Sequence, residues 1–120
     1  MKVVIAGEQA RELVAALGVH GVDAELVPAA ESLTAALVGI EAKLEGETPD
    51  AAVSVGTGDS PFALAMVAAK LGVPLAACLA AEPDPDSVDG AEHRILRVLA
   101  GECFELDDAE RLLAWLNANA

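Results

Sequence analysis

The segment Ala51-Ala52-Val53-Ser54-Val55-Gly56-Thr57-Gly58-Asp59-Ser60-Pro61 decides how this chain folds. Its first five residues read as an apolar run, which fits a strand buried on both faces. Two glycines open a loop after it. Pro61 suits the first position of a helix, with Ser60 as the expected N-cap. That helix runs to Leu71 and stops at Gly72. A strand, a glycine-rich loop and a helix in this order form the repeating unit of a parallel sheet with crossover helices.

Working outward, the unit recurs. Lys2–Ala6 is a first strand ending at Gly7, and Glu8–Leu17 follows helical spacing with Leu13, Val14 and Leu17 on one face. Gly18 and Gly21 stop that helix, and His20 between them reads as a surface turn residue. Asp23–Val27 is a second strand closed by Pro28. Glu31–Glu45 is a longer helix, begun at Ser32 or Ala30. Downstream, Val73–Leu79 is a fourth strand with Pro74 at its start. Val88–Leu99 reads as helix, though Gly90 disfavours it. Glu102–Leu106 is a fifth strand, and Asp107 and Asp108 open a last helix through Ala118. Trp115 falls on its apolar face with Leu112 and Leu116.

These elements predict a single α/β domain over residues 1–120. Its architecture is a three-layer α/β/α sandwich, Rossmann-like or flavodoxin-like, with a five-stranded parallel sheet in the order 2-1-3-4-5. In such sheets ligands bind beyond the carboxyl ends of the strands, where the strand order reverses. That rule sets Gly7, Glu8 and Gln9 beside Gly56, Thr57, Gly58, Asp59 and Ser60.

Composition narrows the partners. The 120 residues are 54% apolar but only 2% aromatic, so the core must be built from Ala, Val and Leu. The formal net charge is −13. Such a surface repels nucleic acid and anionic membranes, and neither is expected as a partner. The acidity fits adaptation to high salt and simple solubility equally. No apolar run approaches the ~20 residues that span a bilayer, and the N-terminus reads as a strand, not a signal peptide. Cys78 and Cys103 form no metal or redox motif, and two buried free thiols in a reducing cytoplasm are expected. The acids of Glu82–Asp89 match no calcium loop. No cofactor and no metal are expected.

The Gly56–Ser60 loop admits two readings. Exposed N–H groups and the helix dipole would cradle a small phosphate or carboxylate. Alternatively the loop is a turn capped by Asp59 or Ser60. It lacks the lysine of a Walker loop. His93, beside Glu92, reads on its residue chemistry as a solvated helix residue.

Several motifs, taken in order, resemble the type B ribose-phosphate isomerases, including the galactose-6-phosphate isomerase subunits. They are the Met1–Ile5 strand, Gly56-Thr57-Gly58, Ala69-Lys70 with Gly72-Val73, Ala76-Ala77-Cys78, Ala91-Glu92-His93 and Trp115-Leu116. The resemblance implies aldose–ketose isomerisation of a sugar phosphate. Thr57 would position the sugar, His93 would assist ring opening, and Asp59 or Glu8 would be the base. Gly7, Gln9, Gly56, Gly58, Ser60 and Arg94 would complete the binding site. The pattern departs where Val55 replaces the usual cysteine base, Glu8-Gln9 replaces Asp-His, Arg94 replaces Asn, and no C-terminal arginines hold phosphate. The family forms dimers, and the Ala-rich helices leave room for a homodimer.

Val55 to Pro74 resembles, without a gap, one strand–helix–strand unit of the UDP-N-acetylglucosamine 2-epimerases and related two-domain glycosyltransferases. Gly56, Ser60 and Leu71-Gly72-Val73-Pro74 correspond, with Thr57 in place of Asp. Three readings follow: a sugar-phosphate isomerase-like enzyme, a non-catalytic binding or interaction domain, and a sugar-nucleotide-binding half-domain.

Overall fold

The computed structural model describes residues 1–81, 83–105 and 108–120. Among the described residues five parallel strands alternate with five helices. They are β1 (Lys2–Ala6), α1 (Ala10–Val19), β2 (Asp23–Leu26), α2 (Leu33–Glu47), β3 (Ala51–Val55), α3 (Asp59–Leu71), β4 (Leu75–Cys78), α4 (Val88–Leu99), β5 (Glu102–Phe104) and α5 (Ala109–Asn119). The sheet order is β2-β1-β3-β4-β5, as the sequence pattern predicts. Leu106 and Asp107, read as a strand end and a helix opening, lie outside the described residues, as does Glu82.

The period of two in a strand divides the core between the two faces of the sheet. Val4, Ala6, Ala52, Leu75 and Ala77 point to one face and meet α2, α3 and Leu96 of α4. Val3, Ile5, Ala51, Val53, Ala76 and Cys78 point to the other and meet Leu13 and Leu17 of α1 and Leu112 and Leu116 of α5. Each buried leucine contributes about 1.5–3 kcal/mol relative to an exposed one. Small side chains on α3 (Ala63, Ala65, Ala68) let that helix lie close to α2 and β3. Trp115 is half-buried against the α1/α5 face of the core.

Several boundaries shift for local reasons. Glu8 and Gln9 stay outside α1, which starts at Ala10. Ser32 is the cap of α2, accepting the Ala35 N–H at 3.1 Å. The Gly90 that disfavours helix in the sequence is required in α4. A Cβ there would strike the backbone of Asp84 and Pro85, and the Gly90 N–H donates to the capping Ser87 hydroxyl at 3.0 Å. Ser54 interrupts the apolar run of β3. It is wholly buried and donates its hydroxyl to the Pro61 carbonyl at 2.7 Å, tying β3 to the start of α3.

The cysteines differ from the expectation of two buried thiols. Cys78 is buried and Cys103 is half-buried. Ala77 pairs with Cys103 and Cys78 with Phe104, so the two thiols point to opposite faces of the sheet. Burial, then the neighbouring Cys103 and Asp108, pushes the Cys78 thiol up to about 12. Iodoacetamide on the native protein is therefore expected to add one label per chain, at Cys103. A second label should require denaturant, as read by intact mass and peptide mapping, and air oxidation should give no intramolecular disulfide.

Gly7 adopts φ +136°, and a Cβ on it would land on the carbonyl of Val55. Gly39, inside α2, has open space around it. Gly7→Ala should lower unfolding stability by about 2 kcal/mol or more, whereas Gly39→Ala should raise it by about 0.5–1 kcal/mol. Urea denaturation of the two variants checks both signs.

Candidate functional site

Where the strand order reverses between β1 and β3, the loops after β1, β2 and β3 part and leave a cavity of about 630 Å³. Its walls are Gly7, Glu8 and Arg11 from the first loop and helix, Leu26–Ala30 from the second, and Thr57–Pro61 from the third. The sequence-derived site thus assembles in large part. Glu8, Gly7, Thr57, Gly58, Asp59 and Ser60 all line one cavity. Gly56 lies behind it, with its N–H engaged by the Cys78 carbonyl at 2.7 Å.

Three residues fall elsewhere. Gln9 is an exposed N-cap of α1, outside the wall, and makes no capping bond. Arg94 donates to the Pro85 carbonyl at 2.9 Å, which ties it to the loop before α4, and it is not on the cavity wall. His93 is 2% exposed, so it is not the solvated helix residue its neighbours suggest. It lies on the inner face of α4 and outside the cavity wall, and among the described residues neither ring nitrogen has a hydrogen-bond partner. His20 is an exposed turn residue, as its flanking glycines imply.

The start of α3 also departs from expectation. The helix begins at Asp59, two residues before Pro61, and Gly58 is its cap with no side-chain hydrogen bond. The φ of +125° at Gly58 turns the chain early enough for this. Neither Asp59 nor Ser60 therefore caps the loop. Pro61 is tolerated in the first turn, where no intrahelical acceptor awaits an N–H.

Two residues that the motif reading passed over shape the electrostatics. Arg11 is the one basic residue among those lining the cavity. It is the second residue of α1, four positions after Gly7, and that closeness in sequence was its one signal. Glu92, read only as a neighbour of His93, is 8% exposed. Burial raises its carboxyl above the ordinary range, and Asp89 adds to this. The Gly58 N–H draws it partly back, and Asp59 pushes it up again. Thr57 donates to Asp89 at 3.3 Å. The Gly56–Ser60 loop is thus surrounded by Asp59, Asp89 and Glu92, with Glu8 across the cavity. A phosphate placed there would meet carboxylates, while sugar hydroxyls would find acceptors. Among the described residues no group of three or more His, Cys, Asp or Glu is placed to hold a metal ion, and no helix is long and apolar enough to cross a membrane.

A carboxyl that folding makes harder to ionise costs stability once it is charged. That cost appears as pH rises above the ordinary carboxylate range and vanishes below it. Glu92→Gln should accordingly melt higher than the parent at neutral pH. The gap should close as pH falls to about 4, in thermal melts across pH.

No protein-family model and no curated protein sequence matches the chain. Solved structures do. UDP-GlcNAc 2-epimerase from Neisseria meningitidis, bound to UDP-GlcNAc, superposes with a TM-score of 0.73 at 16% identity, over 98% of this chain and 43% of that one. The Methanocaldococcus jannaschii UDP-GlcNAc 2-epimerase, in complex with UDP-GlcNAc and UDP, gives 0.73 at 18% identity, over 98% and 44%. The N-terminal domain of a response regulator/sensory box/GGDEF 3-domain protein from Carboxydothermus hydrogenoformans gives 0.64 at 17% identity, over 98% and 91%. The chain spans less than half the length of these epimerases. At these identities the likeness is one of fold. It extends the local epimerase resemblance of Val55–Pro74 to nearly the whole chain, and the isomerase resemblance receives no support from it. What the chain shares with these proteins is therefore a Rossmann-like α/β sheet of the kind that forms one part of the UDP-GlcNAc 2-epimerases.

Proposed function

We propose that this chain is a sugar-nucleotide-binding half-domain, and that the cavity at the β1/β3 switch point takes the sugar end of a UDP-sugar. The observation that carries the reading is the charge of the cavity. Glu8 and Asp59 lie on its wall, Asp89 and Glu92 flank its loop, and Arg11 is the basic residue lining it. Carboxylates accept hydrogen bonds from hydroxyls and repel diphosphates. The sugar would enter toward Thr57 and Asp59 with the phosphates pointing outward past Arg11. The epimerases that share the fold were solved with UDP-GlcNAc or UDP, and each is more than twice as long as the matched segment. A second unit would then hold the nucleotide, and an isolated half would bind weakly and without turnover. In this reading Asp59 and Glu8, both on the cavity wall, would hold sugar hydroxyls. His93 and Arg94 are left outside this role.

A second reading is an interaction module that needs no small ligand. The match to the N-terminal domain of the Carboxydothermus hydrogenoformans protein favours it, because there the likeness covers 91% of a domain solved on its own.

Thermal shift and calorimetry with UDP-GlcNAc, UDP, N-acetylglucosamine and ribose 5-phosphate separate the readings. UDP-GlcNAc at ten times its dissociation constant should stabilise the fold by about 1.4 kcal/mol. UDP alone should do less, and Asp59→Asn and Thr57→Val should weaken the response. Equal responses to UDP and UDP-GlcNAc would sink the sugar-end assignment. A response to ribose 5-phosphate alone would restore the isomerase reading. Silence across the panel from folded protein would favour the interaction module.

A further inference from the structure

A second cavity, of about 610 Å³, lies beyond the ends of β4 and β5. Its walls are Leu79, Ala80 and Ala81 after β4, Cys103, Phe104 and Glu105 at β5, and the side chains of Arg97 from α4 and Arg111 from α5. The two helices belong to opposite faces of the sheet, so Arg97 and Arg111 line the cavity from either side of the edge strand.

This placement stands out against the charge of the chain. The sequence has four arginines and three lysines against 20 acids. All three lysines are in ion pairs: Lys2 and Lys43 with Glu25 and Glu47, and Lys70 with Glu41. Arg94 is engaged by the Pro85 carbonyl. Among the described residues Arg97 enters no ion pair, and Arg111 has only an exposed contact with Asp108 at 3.4 Å. The guanidinium carbon of Arg111 lies 5.7 Å from the centre of the buried Phe104 ring, which orients its fork. Glu105 is the one carboxylate on the described wall.

We propose that this cavity is a phosphate-binding site, separate from the sugar cavity, in which Arg97 and Arg111 clamp a phosphate or phosphate monoester from the two sides of the β5 edge. Two forks that approach from different helices match the three free oxygens of a phosphate monoester. A carboxylate offers two oxygens, which one fork satisfies. Leu79 and the short side chains of Ala80 and Ala81 leave room for the body of an ester.

Cys103 on the wall supplies the readout, since Cys78 is sealed in the core. Alkylation of Cys103 by iodoacetamide is timed in inorganic phosphate, in acetate and in chloride at equal ionic strength. Each variant is compared with its own rate in chloride. About 20 mM phosphate should slow the reaction roughly threefold if the dissociation constant is near 10 mM. Acetate should match chloride. Arg97→Gln and Arg111→Gln should each remove most of the phosphate protection. Both residues are exposed, and far-ultraviolet circular dichroism confirms that the variants are folded. Equal protection by acetate, no protection by phosphate, or protection that survives both substitutions would overturn the assignment. A failure here leaves the sugar cavity untouched, because the two walls share no residue.

Discussion

The close approach of Gly7 to the carbonyl of Val55 is the constraint on which the rest of the molecule depends. At this point β1 ends, β3 ends, and the chain has already turned back once to place β2 on the far side. The missing side chain lets the two loops leave the sheet side by side. The divergence of those loops opens the cavity lined by Glu8, Arg11 and Thr57–Pro61. The site follows from a topological reversal enforced by one backbone contact, and its chemistry is then set by which polar residues occupy the loops.

The fold was legible because its signals are periodic. β1 and β3 have the limits that their apolar runs and following glycines imply, α4 has the limits read for it despite Gly90, and the strand order follows from the alternation of strands and helices. Helix starts were less legible. Ser60 has the chemistry of an N-cap, yet the unusual backbone of Gly58 starts α3 earlier, and a dihedral angle leaves no trace in residue type beyond the glycine itself. Gly90 misled in the opposite direction. It is a poor helix former kept for clearance against Asp84, a contact set by tertiary packing.

The candidate site was legible in part for the same reason. Residues on the loops after β1 and β3 could be placed from topology alone. Burial could not. Arg94 and His93 look equally available in the sequence, but one is tied to a loop carbonyl and the other is packed inside. Glu92 became informative only when its carboxyl proved to be buried between Asp89 and the Gly58 N–H. The surplus of acid seen in the composition therefore has a local form. Part of it is gathered around the cavity, at Glu8, Asp59, Asp89 and Glu92. The lysines are held apart, in ion pairs with Glu25, Glu41 and Glu47.

The scarcity of aromatic residues has an optical consequence. The chain has no tyrosine and one tryptophan. Trp115 sits on α5, and its ring edge lies beside Gly101, just before the edge strand. The near-ultraviolet fluorescence of this protein is thus the emission of a single indole at one margin of the sheet. It reports the docking of α5 and β5, while far-ultraviolet dichroism averages over every helix. Any order in which the molecule comes apart, margin before centre or all at once, is written in whether those two signals change together.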